Sequence, residues 1–438
     1  MVASVGQYLR QRQPTEDEQA MNGRIYRVAL VLVLGLMFFP PATVVSEAPT
    51  VLGLTVKLSL EPPVTLRCLG PTALFYLPVK DLVPTPPLSA APWQEVGGST
   101  IRHQLTWRID LVDGRISLLS EQGDMVTADL PLMLYSTDGG GFELNGAFYP
   151  GALLLWPEEG LHFFNEVSLE DYVCGVLGSE AYASWPLEAL KANAVAIRSY
   201  TLYSLGKHGT FDLCDTIHCQ AYRGLPREEV FRTAVTATTG EILSWQGTPI
   251  NAVYHSSSGG RTRNNEEVWV GTPLPYLRSV EDFDHEGRNY QWPQHYLFCW
   301  AELTQALGVA VDRELRIVPF FNVDGERLGF WFYSHLTGKQ FRNEELRRLL
   351  ALPSPNFRVF IYPAETEITQ AVTLLPGTNL LFTGKGAGHG VGLSQWGAAA
   401  MASQGYSYHQ ILRHYYGSEV RLSCLRSHPR WPQPASRQ

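Results

Sequence analysis

The stretch from Gly384 to Gly417, GKGAGHGVGLSQWGAAAMASQGYSYHQILRHYYG, decides the reading of this chain. Glycine stands at 384, 386, 388, 390 and 392, every second position. Glycine lacks a Cβ and tolerates positive φ, so the run lets backbone come close to another backbone or to a ligand. His389 and Gln395 lie in or just after it, where polar side chains can meet a polar ligand. Ser394 is placed to cap a helix through the Ala-rich turn, and Gly405 to stop it. Ser407 opens a second helical pattern that ends at Gly417. From the residues alone, a glycine-rich loop packed between helices and a ligand-facing wall both stand. A phosphate cradle fits poorly: there is no Gly-Lys-Ser/Thr ending, and strict alternation is not G-x-G-x-x-G.

Working outward, the 438 residues are 45% hydrophobic and 17% charged, with 39 glycines and 29 prolines. That length allows two domains or one large one, with ample core. A formal net charge of −8 argues against nucleic acid or an anionic membrane surface as main partner, and leaves a neutral or mixed-charge polymer open. Near the N-terminus, Val28 to Phe39 is apolar apart from Gly35, with Arg24 and Arg27 before it and Pro40-Pro41 after it. This suits the apolar region of a signal peptide and is short of the roughly 20 residues that a spanning helix needs. The expectation is an exported, cell-envelope protein, with Ser46 to Ala48 as cleavage region. An uncleaved anchor and a buried core helix are the alternatives. Translation from Met21 would put a short basic segment directly before the apolar run, so Met21 is the expected start. Six cysteines, at 68, 174, 214, 219, 299 and 424, are too few for a disulfide-dense scaffold.

Residues 49–165 alternate apolar and polar over short runs (Val51–Leu60, Thr72–Val79, Gln104–Val112, Arg115–Leu119) between Pro and Gly clusters, which predicts a small β-rich accessory domain. The sequence around Val167–Val176 reads as a strand or turn. A strong helix follows over Leu187–Leu205, with Ser184 as cap and Pro186 in its first turn. Strands are predicted at Ala234–Thr238, Glu241–Trp245 and Asn251–Tyr254. Helices are predicted at Ala301–Leu307 and Asn343–Leu350, and further strands at Phe357–Ile361 and Asn379–Phe382. The expected class is α+β, divided into 1–48 (extension with signal peptide or anchor), 49–165, 166–420 and a tail, 421–438.

The string GHGVGLSQWGAAAMASQG, followed by YSYHQILRHYYG, resembles the carboxy-terminal signature of the SpoIID/LytB family, which contains stage II sporulation protein D and amidase-enhancer relatives. SLEDYVCGVLGSE, SWPLEALKANAVAIRSYTL, DLCDTIHCQAYRG, AVTATTGEIL, AVYHSSSGGRT and PYLRSVEDFDHEG resemble its other motifs, in order. GERLGFWFYS with RRLLALPSPNF completes the set, and the resemblance covers roughly residues 166–420. It implies a peptidoglycan lytic transglycosylase acting on glycan strands, or a non-catalytic wall-binding relative that works with a cell-wall amidase.

Glu180 lies between apolar and aromatic residues at the mouth of a helix. Desolvation raises the pKa of such a carboxyl, and a helix N-terminus or cation lowers it. From the residues alone it reads as a helix-start Glu; the resemblance implies that it is the catalytic acid and base. A single raised carboxyl suffices for transglycosylation, whereas ordinary glycosidases use a carboxylate pair. Lys191 and Arg198, seven residues apart on the predicted helix, share a face. They read as a solvated basic edge, and the resemblance implies a role in activity, binding substrate or tuning Glu180. Tyr254 and His255 open YHSSSGGRT, which reads as a Ser-rich hairpin or a turn suited to sugar hydroxyls. His389 and Gln395 complete the expected substrate contacts. Two departures flank Glu180: Ala181-Tyr182 replaces the family's Met-Pro, and KANAVAIRS replaces KAQAVAART. His208, Cys214, His218 and Cys219 supply two imidazoles and two thiolates, a donor set for structural tetrahedral Zn²⁺. The resemblance implies zinc at these four positions; a Cys214–Cys219 disulfide is the alternative.

Overall fold

The computed structural model describes residues 53–77, 94–101, 105–310 and 313–425. The expected signal segment or anchor, the Met21 start and most of the tail lie outside the described residues. All described residues belong to one compact unit, and the architecture is mixed α+β, as expected. No helix among them is long and apolar enough to cross a membrane.

The β-rich part holds two sheets. A seven-stranded sheet runs in the order Leu213–Cys214, Gly53–Leu58, Leu161–Ser168, Ala152–Pro157, Leu132–Ser136, Thr72–Tyr76, Gln94–Ile101. A six-stranded sheet is built around Val64–Cys68 and Thr106–Val112. In Val64–Cys68 every second residue is buried, the period of a strand with one face on a core. Val64 and Leu66 join Leu54, Val56, Ile109 and Leu134 in a core that continues without a break into the helices through Tyr172, Val176, Leu190 and Ile197. The boundary expected at residue 165 falls within strand Leu161–Ser168. That strand leads directly into helix α1 (Leu169–Glu180), capped by Ser168, whose hydroxyl accepts from the Asp171 N–H at 3.1 Å.

The region read as strand or turn is therefore helical from Leu169 onward. Leu169, Tyr172, Val173, Val176 and Leu177 are buried, the i, i+3, i+4, i+7, i+8 spacing of a helix face. Glu170 and Asp171 sit favourably in its first turn. Helix α2 spans Leu187–Ser204; Pro186 occupies its cap position with no side-chain hydrogen bond, in place of the expected Ser184. Helix α3 (Glu229–Ala237) overturns the strand predicted at Ala234–Thr238. Its β-branched residues favour a strand locally, but Phe231, Ala234 and Val235 are the buried ones, and burial of that i, i+3, i+4 set wins. Asn265–Val268 (α4) is a single turn, while Trp300–Leu307 (α5) and Asn343–Leu349 (α6) match their predictions. The last two contribute Leu303, Leu307 and Leu346 to a separate core with Ile317, Phe330, Phe357 and Phe382.

The C-terminal signature forms α7 (Gln395–Ser403) and α8 (Tyr408–Tyr416), with Ser394 and Ser407 as caps, as expected. Both helices pack on α2 in a third core containing Ala192, Val195, Ala398, Met401, Ile411 and Tyr415. The glycine run before α7 lies along residues 253–258. Tyr254 pairs with Leu393 and His255 with Ser394 in parallel, and Ser257 bridges to Ala387. Gly388 has φ 91°, and a Cβ there would meet the His255 Cβ at 2.9 Å. At Gly392 a Cβ would stand 2.1 Å from the Val253 carbonyl oxygen. Only glycine allows this approach, and its consequence is the placement of Tyr254.

Candidate active site

Glu180 is the last residue of α1, not a helix-start residue. The exposed carbonyls of a helix C-terminus carry partial negative charge and disfavour a carboxylate. The side chain is half-buried, and burial raises its pKa above the ordinary carboxyl value. Two donors oppose that shift, the Ala221 N–H, 2.9 Å from Oε1, and the Tyr254 hydroxyl. Among the described residues, no carboxyl group hydrogen-bonds to Glu180. The outcome is one acid, biased toward its neutral form, with two donors ready to receive the anion.

The Tyr254 hydroxyl is itself oriented. Gln220 Nε2 donates to the Tyr254 oxygen at 3.0 Å, so the Tyr254 proton is free to point at Glu180. The Gln220 amide is held the right way round because its Oε1 accepts from Thr201 Oγ1 at 2.8 Å and from the Tyr172 hydroxyl at 3.4 Å. Gln220 was absent from the residues expected at the site. Its position beside Cys219 was the only signal, and nothing local told of its reach to residue 254. Because Tyr254 stabilises the carboxylate, Tyr254→Phe is expected to raise the Glu180 pKa further. Where Glu180 must be protonated to act, the alkaline limb of the pH–rate profile then moves to higher pH. An unmoved or downward limb counts against the assignment.

The structure brings Gln395 to the same place: its Nε2 lies 3.4 Å from the Glu180 carbonyl oxygen. His255 is buried, with Nδ1 donating to the Val391 carbonyl at 3.0 Å. His389 is half-buried between Trp269 and His255, with ring centroids 4.9 and 5.6 Å away. Burial lowers the pKa of both imidazoles, so the pair is neutral at neutral pH. Two of the three serines in the turn are not open to sugar hydroxyls. Ser257 donates to Asp284 and Ser258 to Asp282, and both serines are buried.

The two cations expected beside Glu180 are committed elsewhere. Lys191 bonds Glu188 at 2.7 Å and lies over the Tyr408 ring. Arg198 is 0% exposed, so it has no surface to offer a glycan. Its Nε and Nη2 donate to Glu170, and Nη1 donates to the Glu241 carbonyl at 3.1 Å. Glu170 also accepts from the Gly240 N–H at 3.0 Å. Arg198 thus ties α1, α2 and the strand Glu241–Trp245 together. Arg198→Met leaves Glu170 and a carbonyl without their donor, and an expected loss of about 3 kcal/mol in urea unfolding follows. Arg198→Lys should recover little, because one ammonium cannot copy the fork. Wild-type stability in Arg198→Met would show the tie to be unimportant.

Beyond α2, the donor atoms of His208, Cys214, His218 and Cys219 all lie within 4.8 Å of one another. His208 Nε2 is 3.1 Å from Cys219 Sγ, and His218 Nδ1 is 3.6 and 3.7 Å from the sulfurs of Cys214 and Cys219. Zn–S and Zn–N bonds imply tetrahedral edges of about 3.3–3.8 Å; the two His218 spacings fall in that range, while the four donors together spread from 3.1 Å to as much as 4.8 Å. Cys214 is anchored by the parallel pairing of Leu213–Cys214 with Gly53–Leu58. The next residues reach the site: Ala221 N–H bonds Glu180, and Arg223 N–H bonds Ser179 Oγ at 3.2 Å.

A family model described as stage II sporulation protein, SpoIID, matches residues 157–245, the segment that holds Glu180, Gln220 and the His/Cys cluster. The chain is 30% identical over 275 residues to stage II sporulation protein D of Bacillus subtilis, covering 58% of this chain and 74% of that protein. It is 31% identical over 292 residues to an uncharacterized protein of Brachyspira hyodysenteriae, covering 63% and 73%. To the amidase enhancer of Bacillus subtilis it is 29% identical over 284 residues, covering 55% of this chain and 39% of that protein. Extent and order of the match leave one conclusion: the chain belongs to the stage II sporulation protein D (SpoIID) family.

Proposed function

We propose that this protein is a cell-wall lytic transglycosylase that cleaves peptide-stripped peptidoglycan glycan strands, with Glu180 as its only acid and base. The observation that carries the reading is the Glu180 environment, a half-buried carboxyl of raised pKa whose hydrogen-bond donors among the described residues are Ala221 N–H and the Tyr254 hydroxyl. Protonated Glu180 gives its proton to the glycosidic oxygen as the bond from that oxygen to the anomeric carbon breaks. The carboxylate, held by the two donors, then takes the proton from the C6 hydroxyl of the same sugar. The C6 oxygen bonds to the anomeric carbon, and a 1,6-anhydro end results without water. Burial favours the acid that begins the cycle, and the two hydrogen bonds limit the cost of the anion midway.

Zinc at His208, Cys214, His218 and Cys219 is part of the proposal. When bound it would supply structure, since four protein donors close the coordination shell. These residues would hold the Gln220–Ala221 segment against Glu180. Export to the cell envelope belongs to the same reading, because the substrate lies there.

A second reading has support in the likeness to a protein named amidase enhancer. Under it, the chain binds glycan and stimulates an amidase without cleaving. Incubating purified protein with peptide-stripped strands and analysing the ends by mass spectrometry separates the two. Release of 1,6-anhydro ends supports the enzyme; tight binding without new ends supports the enhancer.

A further inference from the structure

We infer that Tyr182, backed by Trp185 and Trp396, is a stacking platform for a pyranose ring beside the bond that Glu180 acts on. The inference rests on the glycan-cleaving reading of the site and names how the glycan is gripped there.

The three rings touch one another. Tyr182 lies 5.4 Å from Trp185 and 5.7 Å from Trp396 by ring centroid, and the two indoles lie 5.4 Å apart. The interplanar angles are 64°, 50° and 71°, the tilted and edge-on packing that aromatic quadrupoles favour. Trp185 is buried, whereas Tyr182 is 46% exposed. The loop is itself fixed, by Ala181 N–H to the Leu177 carbonyl at 2.9 Å and Trp185 N–H to the Tyr182 carbonyl at 3.0 Å. The third ring is held independently, by Trp396 N–H to the Ser256 carbonyl at 3.0 Å. Two indoles thus hold an exposed phenol ring in place, so little conformational freedom remains to be lost on binding.

Its position is continuous with the site. Tyr182 lies two residues after Glu180, and Trp396 directly follows Gln395, which reaches the Glu180 carbonyl. Arg198 is enclosed, and Lys191 is paired with Glu188. A β-linked pyranose presents a flat face of C–H bonds, apolar and slightly positive, which complements the negative face of an aromatic ring.

The test is binding, kept separate from catalysis. In a Glu180→Gln background, peptide-stripped glycan strands and chitohexaose are titrated while tryptophan emission is followed, with Trp185 and Trp396 as reporters in contact with the platform. Tyr182→Ala is expected to weaken binding at least about tenfold, about 1.4 kcal/mol, and to reduce the emission change. Tyr182→Phe, which keeps the ring, should stay within about twofold. A melting temperature equal to that of the parent confirms that Tyr182→Ala is folded; if it is not, the comparison passes to Tyr182→Leu, which keeps an apolar side chain but no ring. Unchanged affinity in the ring-less variant overturns the platform while leaving cleavage by Glu180 intact. A parent that binds neither probe also overturns it. Strands bound through Tyr182 but never cleaved by the unsubstituted protein leave the platform standing and refute the transglycosylase.

Discussion

Glu180→Gln is expected to abolish release of 1,6-anhydro ends from peptide-stripped strands, by at least about 10²–10⁴-fold, in a protein that remains folded. Glutamine keeps the size of the side chain, and its amide oxygen can still accept from Ala221 N–H and Tyr254. It has no proton to give the glycosidic oxygen and cannot take one from the C6 hydroxyl. The same substitution carries a stability signature of definite sign. Burial raises the folded-state pKa of Glu180 above its unfolded value. Its favourable contribution to folding is therefore fully present below the unfolded pKa and is lost as pH rises through the folded pKa. At neutral pH, above the unfolded pKa, burying this carboxyl is a net cost that Gln removes. Glu180→Gln should melt no lower than the parent at neutral pH, and its advantage should shrink toward about pH 4. Undiminished product release from the variant would falsify the assignment of Glu180. A lower melting point at neutral pH would contradict the electrostatic account.

Removal of zinc, by chelation or by Cys219→Ala, is expected to lower the melting temperature by about 5 °C or more and to reduce cleavage with it. Zinc-finger peptides derive apparent binding energies of about 10–16 kcal/mol from such ligand sets; this chain has a large core of its own, so the effect here is local loosening. The coupling to activity comes from adjacency along the chain. Cys219 is followed by Gln220, which orients Tyr254, and by Ala221, which donates to Glu180. A segment freed at Cys219 releases both. Purified protein should contain about one zinc per chain, the number that four donors in a closed shell allow. A metal-free preparation with a Cys214–Cys219 crosslinked peptide would replace the zinc site with a disulfide.

Helix ends were the most legible elements. Ser394, Ser407 and Gly417 act on backbone groups within one turn, so their effects need no distant partner. Ranges of helix and strand failed where local preference met burial. VSLEDYVCGV and AVTAT contain β-branched residues that suit strands, yet their apolar positions fall on one helix face that packs into the core. The candidate site divided in the same manner. Glu180 and the four His and Cys residues of the expected zinc site stand out by residue type and by motif. That Lys191 and Arg198 share a helix face is legible, because periodicity alone dictates it. Which way that face turns is not, and the fold enclosed Arg198 with Glu170.

By itself, then, the sequence determined the family, the capped helices of the carboxy-terminal signature and the two-imidazole, two-thiolate set, because each is carried by residue identity and short spacing. Tertiary structure alone decided that Glu180 closes a helix, that Gln220 orients Tyr254 and that the serine turn belongs to Asp282 and Asp284. The physical reason is reach. Glu180 meets a donor 41 residues away and Tyr254 one 34 residues away, and hydrogen bonds of that span exist only after the core has brought the segments together. The glycine run joins the two levels. Its spacing is written in the sequence; the carbonyl of Val253 and the ring of Tyr254, which that spacing admits, are supplied by the fold.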